Sequence, residues 1–434
     1  MKFLCTLVIG IVIISTCFYQ HSVDASDAQD CYDAGVRYNK AKDYTEAVKW
    51  FRKAADQEDT RAQVLLGVMY YHGQGVTKDY AEAVSWFHKA AVQGNVHAQT
   101  FLGEMYYFGQ GVTKDYAEAV SWFHKAANQG DIHAQALLGV IYYHGQGVTK
   151  DYAESVSWFH KAANQGNADA QTFLGEMYYF SKGVTKDYAE AMSWFHKAAV
   201  QGNANAQTFL GEMYYFGKGV TKDYVEAVNW FRKAANQGNA NAQTFLGAMY
   251  QLGQGVNQDY AESLKWSLKA ADQGKSDAQI NVGLMYNRGL GVTQDYAESL
   301  KWSLKAADQG NAEAQISVGL MYYKGQGIAQ NYAEAIKWFL KSADQGNAKA
   351  QASLGLMYYE GRGVSQDYAE AVKWYLKAAD QGKADAQREL GAMYYSGEGV
   401  SKNLIEAKNW FGKAAAQGDE DALKMMKKLT EMSF

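Results

Sequence analysis

Residues 95–130 read NVHAQTFLGEMYYFGQGVTKDYAEAVSWFHKAANQG, and the stretch returns along the chain with few changes. In its first half Ala98, Leu102, Met105 and Tyr106 fall at helical spacing and make one apolar stripe. Gly103 lies inside that helix, where glycine costs about 1 kcal/mol against alanine. It recurs in ten successive units, so a neighbouring helix is expected to approach closely there. Phe108-Gly109-Gln110-Gly111-Val112 then reads as a loop. Asp115, with Glu118 three residues on, has the pattern of a capping box that starts a second helix. Ala119, Trp122, Phe123 and Ala126 form its apolar stripe, and Gly130 supplies the left-handed residue that ends it. Each unit is therefore helix, glycine loop, helix, glycine turn. Its tryptophan is expected to fit against small alanines and glycines across the interface.

The period is set by tryptophan. All eleven, from Trp50 through Trp86 and Trp122 to Trp410, stand 36 residues apart, without an insertion or deletion between Tyr44 and Trp410. Such regularity marks a solenoid, in which each unit packs on its neighbours. Composition agrees. The 434 residues include 42 glycines and no proline, so one glycine-based turn chemistry serves the whole chain. A hydrophobic fraction of 48% excludes wholesale disorder, and a net charge of −4 excludes a polyelectrolyte grip on nucleic acid.

The first residues read differently. Lys2 precedes an apolar run from Phe3 to Phe18, and Val23-Asp24-Ala25 follows. This is the pattern of a secretory signal peptide over residues 1–25, cut after Ala25. An uncleaved anchor and lipidation at Cys17 are the alternatives. Cleavage would remove Cys5 and Cys17 and leave Cys31, which cannot form an internal disulfide. Cys31 is then a spectator or a point of pairing with another chain. No Asn-x-Ser/Thr sequon occurs, which tilts the setting toward a bacterial envelope.

The unit resembles the Sel-like repeat, a relative of the tetratricopeptide repeat. The resemblance rests on Ala98 to Tyr106 (Ala-x-x-x-Leu-Gly-x-Met-Tyr), Gly109 to Val112 (Gly-x-Gly-Val), and Asp115 to Ala127 (Asp-Tyr-x-x-Ala-x-x-Trp-x-x-Lys-Ala-Ala). It implies an all-α fold: a right-handed α/α superhelical solenoid of about eleven helix-turn-helix repeats over residues 26–418, with a polar capping helix at 419–434. It also implies protein–protein contact, often in bacterial envelopes, secretion or host interaction. One exported branch carries two cysteines in every repeat and has been linked to β-lactam binding; that pattern is absent here. The first repeat has four residues fewer between Gly35 and Asp43 than the next has between Gly67 and Asp79. Glu58 replaces a turn glycine, Ser181 a loop glycine, and Ser267 and Ser303 the phenylalanine after tryptophan.

Positions that vary between repeats point away from the shared packing skeleton. On the first helix these lie three and four residues apart on one face. They read Phe101-Glu104-Phe108, Phe173-Glu176-Phe180 and Phe209-Glu212-Phe216, followed by Phe245. Leu65-Val68-His72 and Leu137-Val140-His144 alternate with them, and Asn281-Leu284-Arg288 opens a more polar later series. By the resemblance, first helices line the concave wall. Phe101, Glu104, Phe108, Phe173, Glu176, Phe180, Phe209, Glu212, Phe216 and Phe245 are then partner-binding positions, suited to a peptide or helix with apolar and basic side chains. The other reading makes the Phe101 column inter-repeat core.

His88, His124, His160 and His196 share one second-helix column, read as a solvated face, and the spacing of His88 with His97 and of His124 with His133 allows each pair to approach across a turn. Every Ser, His, Asp or Glu set recurs repeat after repeat, whereas an active site needs unlike groups converging once. No catalytic, cofactor or metal residue is assigned. The expected protein is an exported, periplasmic or secreted monomer. It would be a non-enzymatic scaffold for protein or peptide segments, with neither nucleic acid nor a membrane span after signal cleavage. The alternative is an envelope enzyme or enzyme inhibitor acting on cell-wall material.

Overall fold

Most repeats start at a side-chain cap, though Lys275 and Lys383 hold that position in two of them without a cap bond. The Asn95 amide oxygen accepts the Ala98 N–H at 3.0 Å and opens α5 (Val96–Phe108). Gly109 closes it in the left-handed region, its N–H returning to the Met105 carbonyl. α6 (Tyr116–Asn128) starts at Asp115, whose carboxylate accepts the Ala117 and Glu118 N–H groups at 2.9 and 3.0 Å. The expected capping box forms only by half. The N–H of Asp115 already donates to the Tyr106 carbonyl across the loop, at 3.0 Å. Glu118 is released to accept Trp122 Nε1, one helical turn on, at 2.8 Å.

The computed structural model describes residues 27–431. Among them are 23 helices, α1 (Ala28–Lys40) to α23 (Glu420–Glu431), and no strand. The chain is an all-α solenoid of eleven repeats, in which we label the first helix A and the second B. The export signal read at residues 1–25 lies outside the described residues. Two compact units are present, one reaching Ala170 with Lys182–Val184, the other Gln171–Ser181 and everything from Thr185. No helix of the described residues is long and apolar enough to cross a membrane.

Glycine inside the A helix is explained by phenylalanine of the same repeat, not by tryptophan. A Cβ on Gly103 would stand 2.7 Å from the Phe123 ring, and Phe123 is fully buried. Tryptophan instead reaches back to the preceding repeat. Trp122 packs with Ala83, Phe87, Ala90 and Ala91 of α4 (Tyr80–Val92) and with Ala98, Leu102 and Met105 of α5. The two rings thus divide the work, one closing the hairpin and the other joining hairpins. A second close approach fixes the loop, where a Cβ on Gly111 would stand 2.3 Å from the Tyr80 carbonyl oxygen.

A buried glutamine ties the same elements. Gln99 donates to the Ala91 carbonyl at 3.1 Å and accepts from Gln129 Nε2 at 2.9 Å. The pattern recurs at Gln135, Gln207 and Gln243. A side chain that is both donor and acceptor can satisfy a helix C-terminal carbonyl and the next capping amide at once. Tyrosine makes a further tie, with Tyr107 donating to Gln146 of the next loop at 2.5 Å.

The departures are absorbed locally. Glu58 and Ser181 keep the left-handed turn despite their side chains, at φ 65° and 59°, which costs about 1–2 kcal/mol each. Cys31 is 1% exposed in the first repeat's core beside Tyr32 and Phe51, so pairing with another chain would require that repeat to open. In α23, Ala422 and Leu429 pack on Phe411 while Lys424, Lys427 and Lys428 face outward.

Candidate partner-binding face

The A-helix columns contain two kinds of ring. Those at the Phe101 position are half-buried and stack on the B-helix phenylalanine of the preceding repeat. Phe101 lies 4.9 Å from Phe87 at an interplanar angle of 12°. Phe209 lies 4.6 Å from Phe195 at 7°, and Phe245 4.8 Å from Phe231 at 5°. These rings belong to the inter-repeat core through one face and keep an edge toward the A-helix surface. Phe173 is likewise half-buried, on α9 (Ala168–Phe180). Rings at the Phe108 position are open: Phe108, Phe180 and Phe216 are 40%, 52% and 51% exposed.

In the second unit consecutive rungs join. Phe180 on α9 meets Phe209 on α11 (Ala204–Phe216) edge-on, with centroids 6.3 Å apart. Phe216 meets Phe245 on α13 (Ala240–Leu252) in the same way, at 6.3 Å. Tyr179 and Tyr215 back the rungs at 6.0 and 5.8 Å from Phe209 and Phe245. Lys218, in the loop after α11, donates to the Tyr179 hydroxyl at 2.7 Å and lies 5.4 Å from the Phe216 ring centre. Each is an edge-to-face or cation–ring contact of ordinary geometry. In the first unit the ladder is broken, because Leu137 and His144 follow the Phe101 and Phe108 pair.

The three glutamates of the column differ in what answers them. Glu104 accepts from His133 Nε2 at 2.7 Å. Burial pulls the His133 pKa down, but the hydrogen bond and charge of Glu104, with Asp131 and Asp169 behind it, hold it above its ordinary value. Glu176 has no such partner, and burial pushes its pKa up to about 7. Burial also raises that of Glu212, against a smaller lowering by Lys218. The sequence reading sets His133 opposite His124 rather than Glu104, and gives Tyr179, Tyr215 and Lys218 no role. The 29-residue offset from Glu104 to His133 is legible once repeats are aligned, since the same offset leads from Glu176 to Asn205 and from Glu212 to Asn241.

The histidine column is not a free solvated face. His124 is half-buried, shares a hydrogen bond with the Tyr142 hydroxyl at 3.1 Å, and stands edge-on to Trp158. Burial lowers its pKa. His88 and His196 are exposed but set their edges against Trp122 and Trp230 of the next repeat. His133 is drawn to Glu104 rather than toward His124. Among the described residues no three His, Cys, Asp or Glu side chains gather as metal ligands.

The Sel1 repeat model matches eleven consecutive segments, from residues 28–59 and 60–95 through to 384–419. The chain belongs to the Sel1 repeat family. It is similar to c5321, a protective antigen present in uropathogenic Escherichia coli strains and displaying an SLR fold. Identity is 38%, 94% of this chain and 88% of that one are covered, and the TM-score is 0.86. It is also similar to a Sel1 repeat protein from Oxalobacter formigenes, at 34% identity over 71% of this chain and 89% of that one, with a TM-score of 0.56. A Helicobacter pylori relative named "Putative beta-lactamase HcpC" is 42% identical over 50 residues, which is 12% of this chain and 17% of that protein. The eleven Sel1 units share one pattern, so differences within a column mark where this array departs from it.

Proposed function

We propose that this Sel1 repeat protein is an exported, non-enzymatic scaffold that docks protein or peptide segments on its A-helix face. The observation that carries the reading is the pair of joined rungs in the second unit, with Phe180 and Phe216 half open to solvent beside Glu176 and Glu212. Exposed aromatic anchors ringed by polar groups are the usual make-up of a protein-binding hot spot. Residues 1–25 direct export, with cleavage after Ala25, to a periplasmic or secreted destination, where the chain acts as a monomer. The test is photocrosslinking from position 180 in the native cell. A defined partner adduct is expected, and its loss in Phe216→Ala, with helicity retained, supports the face. An adduct indifferent to Phe216 argues against it. The resemblance to HcpC over 50 residues keeps one other reading in play, an activity on cell-wall material. Turnover of a chromogenic β-lactam by the purified protein would favour that reading over the scaffold.

A further inference from the structure

The column of glutamates contains its own comparison. At Glu104 a hydrogen-bonding ring nitrogen is supplied from within the chain, by His133 one repeat on. At Glu176 the equivalent position is Asn205, and its amide oxygen is engaged by Asn239 Nδ2 at 2.9 Å. Among the described residues no side chain hydrogen-bonds to Glu176. Glu212 faces the same vacancy through Asn241, but Lys218 stands near enough to moderate it. Among the described residues, Glu176 is therefore the glutamate of this column that no nearby cation answers. It is half-buried on α9, one turn before the exposed Phe180 ring, with Phe209 edge-on to that ring.

Building on the docking face proposed above, we propose that this part of the second unit receives an arginine from an extended peptide segment, its guanidinium on the Glu176 carboxylate and its plane against Phe180 or Phe209. The chemistry selects arginine over lysine. Guanidinium is planar, less strongly hydrated, able to take a carboxylate through two N–H groups, and able to stack on a ring. A half-buried carboxylate meets such a group at reduced desolvation cost, because it has already lost part of its hydration. The burial that raises the Glu176 pKa is the same effect. Rung spacing adds a second requirement. Packed helical layers stand about 8–10 Å apart, and extended chain advances about 3.3 Å per residue. An apolar side chain three residues from the arginine then reaches the next rung, Phe216 with Phe245.

Two capped hexapeptides test this against the whole protein by isothermal titration calorimetry at pH 7.5 and low salt. One is acetyl-Ala-Arg-Ala-Ala-Leu-Ala-amide; the other carries citrulline, uncharged and of the same shape, in place of arginine. The arginine peptide is expected to bind at least tenfold more tightly. Glu176→Gln should remove that preference, whereas Glu370→Gln, on a B helix and paired with Lys373, should leave it. Equal binding of both peptides, a preference that survives Glu176→Gln, or no binding of either peptide at millimolar concentration overturns the proposal. Phe180→Ala with Phe216→Ala separates the two levels. Weaker binding of both peptides with helicity retained supports the docking face and unchanged binding of both overturns it, whereas the arginine assignment stands or falls with the citrulline comparison and Glu176→Gln.

Discussion

Glu176→Gln should make the protein more stable at pH 8 and leave it nearly unchanged at pH 4. Burial moves the carboxyl from about 4.5 to about 7 in the folded chain. The unfolded chain releases its proton near the ordinary value. Between those limits the folded state binds the extra proton, so stability falls as pH rises through that window. Above about pH 7 the full penalty applies, on the order of 3 kcal/mol at most for a shift of this size. Glutamine keeps the shape and removes the charge. Urea denaturation followed by tryptophan fluorescence at pH 4, 6 and 8 measures the gap between variant and parent. Repeat arrays do not always unfold in one step, so amide exchange across α9 and α11 should accompany it and show where the gain resides. A gap of the same size at all three pH values would mean that the amide packs better for other reasons. A variant less stable at pH 8 would mean that Glu176 has a cationic partner within the chain, and both the unanswered carboxylate and its proposed ligand would go.

Gly103→Ala should destabilise by about 1–3 kcal/mol although alanine is the better helix former, because its methyl group would press on the Phe123 ring; calorimetry of G103A, and partial recovery on adding Phe123→Leu, check the contact. Gln207→Leu should cost about 1–3 kcal/mol by leaving the Ala199 carbonyl and the Gln237 amide short of a partner, read as a lower denaturation midpoint and faster exchange at the ends of the neighbouring B helices. His133 should titrate above its ordinary value by NMR, and in Glu104→Gln it should fall below that value, since burial is then opposed only by the more distant acids. The stability it contributes is present below the unfolded histidine pKa and is lost as pH rises through the folded one.

The repeat skeleton was open to reading because each of its rules is local. Asp115, Gly109 and Gly130 act on backbone groups within a few residues, and the caps and turns formed where their chemistry placed them. Gly103 does mark a close approach, with Phe123 and not a tryptophan as the partner. Two bulky residues adjacent on one helix point in different directions, and sequence spacing alone does not say which meets the glycine. The glutamine ties went unread because Gln99 and Gln129 are 30 residues apart and each looks like an ordinary polar residue. Nothing in the sequence marks an amide as buried. For the Phe101 column the sequence allows both core and groove, and the stacking of Phe101 on Phe87 places one face of that ring in the core.

The alternation of paired and unpaired glutamates bears on how such a surface acquires a preference. In this column three repeats carry the same carboxylate, at Glu104, Glu176 and Glu212, where Val68 and Val140 stand in others. In the first unit His133 answers it, and the pair closes on itself. In the second unit asparagine replaces histidine, and the carboxylate stays half-buried with its pKa raised. A leucine or glutamine there would relieve that penalty, and Leu284, Leu320 and Leu356 show that the later repeats accept leucine at this position. The arginine preference proposed above gives a use to a charge that the fold would be more stable without. Replacing Asn205 with histidine should then move the second unit toward the first. N205H would supply a cation to Glu176, return its titration toward the ordinary carboxylate range, and compete with any arginine-bearing segment. The reverse change, His133→Asn, should open Glu104 and create in the first unit the preference for arginine proposed for the second. If N205H leaves arginine-peptide binding intact while NMR shows its imidazole on Glu176, the carboxylate is not the anchor and the aromatic rungs alone must account for docking.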